Sequence, residues 1–331
     1  MKLLYLAKPT YGGWVTFTAH MSLKYNYDVI KCSKRTEKRS RPFGYGVNYQ
    51  NMSIEDILLI PEEELLVVAC DKHKRHVLDS LRDGTSIVIH DPTEFKTFNF
   101  TVYNTAVNLE RFNIFTIRKT VKDLLKEKFD LDAVFKLHPF YAYDLNAGLT
   151  NAQILALDAE TFERKGAVAT SRIDFDKHTD VIIEANKHGA NIDIYGKKND
   201  LYVYHKIMKN PDLNEEFEKS YKGSFGKSFE EINKILIPAK FMVDMSAIKG
   251  DGGGSQYSFL EAIYSKCVLI ISEKWIEGVE TMYSADYNCC VTKPEGYDLY
   301  MTIDRLPLDE YEYMMKGAYH ELLKPHLNVK W

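Results

Sequence analysis

Residues 240–272, KFMVDMSAIKGDGGGSQYSFLEAIYSKCVLIIS, limit the choice of fold more than any other part of this chain. Phe241, Met242, Val243 and Met245 form a short apolar run, and residues 268–271 form another. Between the runs lies a glycine loop, Gly250-Asp251-Gly252-Gly253-Gly254. After it come Phe259, Leu260, Ile263 and Tyr264 at helical spacing. Strand, loop, helix and buried strand in that order predict a βαβ unit of a parallel sheet. Ser255 is expected to cap the helix. The glycines let the backbone approach a ligand, and unpaired N–H groups at the helix start favour an anion, typically a phosphate. Glu261, expected two turns into the helix, is too deep for that phosphate and suits hydroxyls of a sugar or ribose. A purely structural loop is the other reading of the same residues.

At 331 residues the chain can hold two domains with separate cores. With 45% hydrophobic and 27% charged residues it reads as globular rather than disordered. No apolar run approaches the roughly 20 residues that cross a bilayer, so no membrane partner is expected. The start, MKLLYLAKPTYGG, reads as a first strand, because a signal peptide needs a longer apolar core. Five cysteines (Cys32, Cys70, Cys267, Cys289, Cys290) lie mostly in apolar segments without zinc-site spacing. They point to a reducing cytoplasm and no disulfide framework, and the Cys289-Cys290 pair to packing rather than catalysis. Residues 1–165 carry a net charge of +2 and the remainder −6, which is compatible with an anionic partner for the first half but too small to prove one.

Residues 2–7 predict a strand, followed by Gly12 and Gly13, a helix over 14–23 and a strand at 28–30. That is the opening of a Rossmann-like unit, without the full G-x-G-x-x-G pattern. Gly12 and Gly13 either line a site or only make a turn. Residues 31–41 hold six basic side chains in eleven, among them Lys34, Arg35, Lys38, Arg39 and Arg41, and residues 42–49 interleave aromatics with glycine. Cations for phosphates beside rings for bases suit a nucleic-acid contact loop, and a solvated loop is the bland alternative. A second basic knot, with Lys72, Lys74 and Arg75, follows the strand 65–70 and is expected at the same edge of the sheet. The strand 86–89 ends in His90 and Asp91. Beyond a strand's carboxyl end these could orient or deprotonate an acceptor hydroxyl, or form a structural pair. A strand at 112–116, a helix at 119–129 and a strand at 133–137 complete this half, with the boundary in the loop-like segment 141–165.

The second half repeats the plan. A strand at 166–171 leads to Arg172 and Lys177 and then a helix at 179–188. A strand at 191–195 ends in Tyr195-Gly196, and residues 221–226 carry Gly223 in a further turn. A helix at 228–236 leads into the central stretch, a strand lies at 291–292, and a helix at 308–323 ends at Pro325.

Arg172 and Lys177 five residues apart after a strand, Ser246, the glycine loop, Leu260-Glu261-Ala262 and the small-residue entry at Cys267 together resemble retaining glycosyltransferases of the GT-B fold. The match is good over residues 166–275 and only an outline over 1–140. One departure stands out. The family has two glutamates with seven residues between them, and the first falls here on Gly253, with Asp251 the nearest acid.

The resemblance implies an α/β protein of two facing Rossmann-like domains with parallel sheets and an interdomain cleft. Residues 1–150 would bind the acceptor and 166–308 the donor, and a helix over 309–331 would cross back to the first domain. It implies a UDP-sugar donor, a retaining reaction and no metal or other cofactor. Arg172, Lys177 and the glycine loop would hold the diphosphate, with Gly252, Gly253, Gly254 and Ser255 at the helix start. Glu261 would hold the ribose, Asp251 the sugar, and Tyr195, Gly196 and Gly223 the turns beneath the nucleotide. Residues 257–261 and the His90-Asp91 pair are most similar to bacteriophage enzymes that glucosylate hydroxymethylcytosine. That similarity implies a monomer acting on double-stranded DNA with glucose or arabinose. A glycan or lipid-sugar acceptor is the alternative, and an inactive nucleotide-sugar binding module a second.

Overall fold

The computed structural model describes residues 1–8, 12–33, 37–71, 73–91, 94, 108–158, 164, 166–248, 254, 256–278 and 282–331, without the side chains of 37–40, 155–158 and 308. The chain forms two compact units. The first holds Met1–Ala142 and His326–Trp331, and the second takes in Tyr143–Lys249 and Gly253–Pro325.

In the first unit eight strands form one sheet: β1 Lys2–Leu6, β2 Asp28–Cys32, β3 Glu37–Gly44, β4 Val47–Met52, β5 Leu65–Cys70, β6 Ser86–Ile89, β7 Asn113–Thr116 and β8 Ala133–Phe135. Their order is β3-β4-β2-β1-β5-β6-β7-β8. Every neighbouring pair is parallel except β3 with β4. β5 reads Leu-Leu-Val-Val-Ala-Cys and is buried at all six positions, because a parallel strand is covered on both faces. Leu4, Leu6, Val67, Ile87, Ile89 and Ile114 belong to the core packed against it.

The second unit has six parallel strands: β9 Ala167–Ala169, β10 Ile192–Tyr195, β11 Tyr221–Gly223, β12 Phe241–Asp244, β13 Val268–Ser272 and β14 Cys290–Thr292. They lie in the order β11-β10-β9-β12-β13-β14. Ala169, Ile183, Ile194, Val243 and Ile270 share its core. Two parallel-sheet α/β units, each with helices between its strands, agree with the fold class read from the sequence.

Several local expectations need correction. Residues 37–49 are no loop: β3 and β4 form an antiparallel hairpin that turns at Tyr45 and Gly46, with β4 paired to β2. Phe43 inserts against Tyr5 at 5.0 Å and Tyr49 at 6.5 Å, and this packing draws the segment onto the sheet. Residues 151–158 are helical rather than loop-like. Pro325 does not stop the last helix. A π-turn at Tyr319–Leu323 runs directly into the helix Lys324–Asn328, which contains Pro325.

The last six residues are tied down within the first unit. Lys24 Nζ donates to the carbonyls of His326 (2.8 Å) and Leu327 (2.7 Å), and Tyr25 Oη donates to Val329. Trp331 Nε1 donates to Leu137 O at 3.0 Å, and its ring meets Phe17 and Phe115. His326 Nδ1 donates to His138 O at 2.8 Å.

Burial holds His90 and His326 down at about 4 and His138 well below the ordinary range. A depressed histidine adds stability in full above its unfolded value of about 6.5 and loses it as pH falls through the folded value. Buried Glu94, raised to about 8, has the opposite sign, but it is one group against three. The first unit is therefore expected to weaken between pH 6.5 and 4. Trp14 and Trp331 lie in it and Trp275 in the second unit, so single-tryptophan variants separate the two by fluorescence. A flat unfolding midpoint for Trp14 and Trp331 over that range would rule out neutral buried rings.

Candidate active site

In an open parallel sheet ligands bind beyond the carboxyl ends of the strands, where the strand order reverses. In the second unit that point lies between β9 and β12. The chain leaves β9 through Thr170 and Ser171 into Arg172, and a tight turn brings Lys177 back, its N–H on Asp174 O at 3.0 Å. Arg172 Nη1 donates to Asp174 Oδ2 at 2.8 Å and Nη2 to Asp176 Oδ2 at 3.4 Å. Ile173 N donates to Lys197 O (3.0 Å) and Asn199 N to Ile173 O (2.9 Å), which fastens this turn to the exit of β10. Ala247 N donates to Asp176 O at 2.9 Å and fastens it to the exit of β12.

Gly196 explains how the turns come so close. A Cβ there would stand 1.9 Å from Ser171 O. Its N–H donates to Gly223 O at 2.9 Å, and its carbonyl accepts Tyr221 Oη at 3.0 Å. Tyr195, which pairs with Gly223, thus leads into a turn bonded to both neighbouring strand exits.

On the β12 side, buried Ser246 accepts Trp275 Nε1 on its carbonyl at 3.0 Å. Gly254 has φ +81° and accepts Tyr283 Oη on its carbonyl at 3.0 Å. Asp251, Gly252, Gly253 and Ser255 lie outside the described residues. The cap of the following helix, Tyr257–Tyr264, is Gln256 rather than Ser255, so the helix starts later than expected. Glu261 is consequently one turn in rather than two. It is buried and lines a small recess with Thr170, Phe225, Ile232, Ile235 and Leu236. Lys227, which no sequence motif marked, lies near enough to Glu261 for its charge to oppose the lowering that burial imposes on the ammonium.

In the first unit Gly12, at φ +92°, precedes the helix Gly13–Tyr25, which has no side-chain cap. Among the described residues, chain neighbours apart, nothing lies within 4 Å of a Cβ built on Gly12 or Gly13. His90 departs from the expected role. It is 6% exposed, its ring lies 4.7 Å from Phe17, and its Nε2 donates to Val68 O at 2.8 Å. That bond fixes the Nε2–H tautomer, and burial makes the ring a poor base, with its pKa about 4. His90 is a neutral, fixed ring, and half-buried Asp91 is the remaining candidate of the pair. Glu94, also unmarked in the sequence, accepts Trp14 Nε1 at 2.5 Å and His90 N at 2.9 Å, pinning the start of the Gly13–Tyr25 helix to the end of β6.

The basic residues divide. Lys34, Arg35 and Lys72 lie outside the described residues, as do the side chains of Lys38 and Arg39. Arg41 is exposed on β3, and Lys74 is half-buried and acts electrostatically on Lys31 and Cys32. Arg75 must be withdrawn as a surface contact, because it is 7% exposed at the start of the helix Arg75–Ser80. Lys31 serves the fold, with its Nζ on Ala7 O and near the rings of Tyr5 and Tyr49. Cys289 and Cys290 are buried, with thiols pushed up to about 12, and are not nucleophiles. Among the described residues no cluster of three or more His, Cys, Asp or Glu could hold a metal, and no helix is long and apolar enough to cross a membrane.

No family model matches the sequence, and no curated protein matches it. Solved structures do match over nearly the whole chain. HepE (Alr3699) of Anabaena, in complex with UDP and glucose, superposes with a TM-score of 0.65 at 12% identity, over 99% of this chain and 96% of that one. The fold is GT-B. A glycosyltransferase of Rickettsia africae follows at 0.59 and 13% identity, covering 98% and 95%. WaaG, a glycosyltransferase involved in lipopolysaccharide biosynthesis, scores 0.59 at 10% identity, covering 98% and 96%. At such identities the likeness establishes the GT-B architecture of both units and leaves the chemistry to the residues.

Proposed function

We propose that this GT-B protein is a glycosyltransferase that moves a sugar from a UDP-sugar to a hydroxyl, and that the acceptor is 5-hydroxymethylcytosine in double-stranded DNA. What supports the donor half is the turn beyond β9, a strand at the strand-order reversal, on which Arg172 and Lys177 both stand. HepE binds UDP and glucose in the same fold, which supports UDP as the nucleotide. Two cations at a leaving diphosphate stabilise charge that grows in the transition state, the work a metal does elsewhere. Glu261 would hold the ribose in its buried recess, and Asp91 would orient the acceptor hydroxyl. Retention of configuration, independence of metal, glucose or arabinose as the sugar, a monomeric state and a cytoplasmic setting complete the proposal.

DNA as acceptor is supported by the basic strand β3, on which Arg41 is exposed. A base buried in a duplex must be flipped out to expose its hydroxymethyl group. Mass spectrometry of hydroxymethylcytosine DNA incubated with UDP-glucose and UDP-arabinose tests the whole proposal. Binding to duplex DNA is also expected to weaken with salt, at a log–log slope of about −0.9 per phosphate contact. Replacing Lys34, Arg35, Lys38 and Arg39 by alanine should flatten that slope and leave UDP affinity unchanged. Salt-insensitive binding, or none near ~50 mM salt where phosphate contacts are strong, would move the acceptor to a glycan or lipid-sugar. WaaG, a neighbour in lipopolysaccharide biosynthesis, favours that second reading.

A further inference from the structure

Arg172 is already paired within the chain. Its guanidinium bonds Asp174 at 2.8 Å and Asp176 at 3.4 Å. The acids are the fixed members of this group. Their side chains are 20% and 13% exposed, against 59% for Arg172. Asp174 Oδ1 accepts Phe175 N and Asn199 Nδ2, each at 2.8 Å, which aims Oδ2 at the guanidinium. Asp176 is held through its carbonyl by Ala247 N. The long, exposed arginine is the group free to swing.

We infer that Asp174 and Asp176 are built-in competitors of the diphosphate for Arg172, holding the guanidinium when no diphosphate is bound and hastening release of UDP after transfer. The inference rests on the proposed UDP-sugar donor. A diphosphate that engages Arg172 meets two carboxylates of its own sign a few ångströms away, and like charges at that range lower affinity. Free UDP carries more negative charge on its terminal phosphate than the sugar-bearing donor does. The repulsion therefore falls harder on the product than on the substrate, which speeds turnover without expelling the donor. The ion pairs themselves add little to the fold, because Arg172 is mostly in water.

The test is calorimetric titration of the full-length protein with UDP and with UDP-glucose, using Asp174→Asn, Asp176→Asn and the double variant. Asparagine at 174 keeps an acceptor for Phe175 N–H and Asn199. The double variant is expected to bind UDP about 3–10-fold more tightly, UDP-glucose less so, with both gains shrinking at high salt. Each single variant should show part of the gain, so one poorly folded protein does not decide the matter. Unchanged or weaker UDP binding by folded variants overturns the inference, because the acids would then be aligning Arg172 for phosphate. Failure of the wild type and all variants to bind UDP overturns the donor assignment itself, and the inference with it.

Discussion

Arg172→Ala and Lys177→Ala are each expected to lower kcat/KM by about 10²–10³-fold, the scale seen when one group that meets developing charge is removed. The fold should not suffer. Arg172 is mostly exposed, and its ion pairs are of the kind that adds little stability. Removal also frees Asp174 and Asp176, whose uncompensated charge adds repulsion toward the diphosphate, so Arg172→Ala should be the worse of the two. Loss should fall on kcat more than on donor KM, since the contact strengthens as the diphosphate leaves. Steady-state kinetics together with a thermal melt separate the two effects. Turnover near that of the wild type in either variant, with a native melting point, would remove that residue from the diphosphate site.

Gly196→Ala should damage both stability and donor binding. The added methyl would stand 1.9 Å from Ser171 O and 2.9 Å from its carbonyl carbon, both backbone atoms that no side-chain rotation can clear. Relief requires the exit of β10 to move away from the exit of β9, which pulls on the bonds of Ile173 to Lys197 and Asn199 that join the two turns. A cost of about 1–3 kcal/mol or more follows from such overpacking. Arg172 follows Ser171 directly, so UDP affinity should fall along with the melting temperature. Gly226→Ala is the stability control, since among the described residues, chain neighbours apart, a Cβ there meets only Glu231 Cγ at an ordinary 3.9 Å. Equal melting temperatures for the two variants would mean that the turns are not packed as described.

Much of this architecture was legible along the chain. β5, β6 and the helix Lys119–Phe129 fall where periodicity and turn residues place them. Arg172 and Gly196 stand out because each closely follows a strand, and a parallel sheet delivers such positions to one edge, whereas Lys177 stands out by its spacing from Arg172 in the GT-B resemblance. Other features were illegible for a physical reason. Residues 31–49 mix a charged run with aromatics and glycine, so local pattern alone suggested a loop, whereas the contact of Phe43 with Tyr5 selects a hairpin over 37–49. Arg75 sits in a basic run that reads as surface, yet its helix turns it inward.

The amino-acid sequence alone therefore determined the alternation of strands and helices and which strand exits carry cations and glycines, because those depend on local period and backbone freedom. Only the tertiary structure decided what those side chains face. Trp14 finds Glu94 across eighty positions. His90 becomes a neutral ring because Val68 and Phe17 enclose it. Arg172 is engaged by two acids because the exits of β10 and β12 brace the turn that holds them. The direction, burial and charge state of a side chain are set by neighbours remote in sequence, and a linear pattern does not record those neighbours.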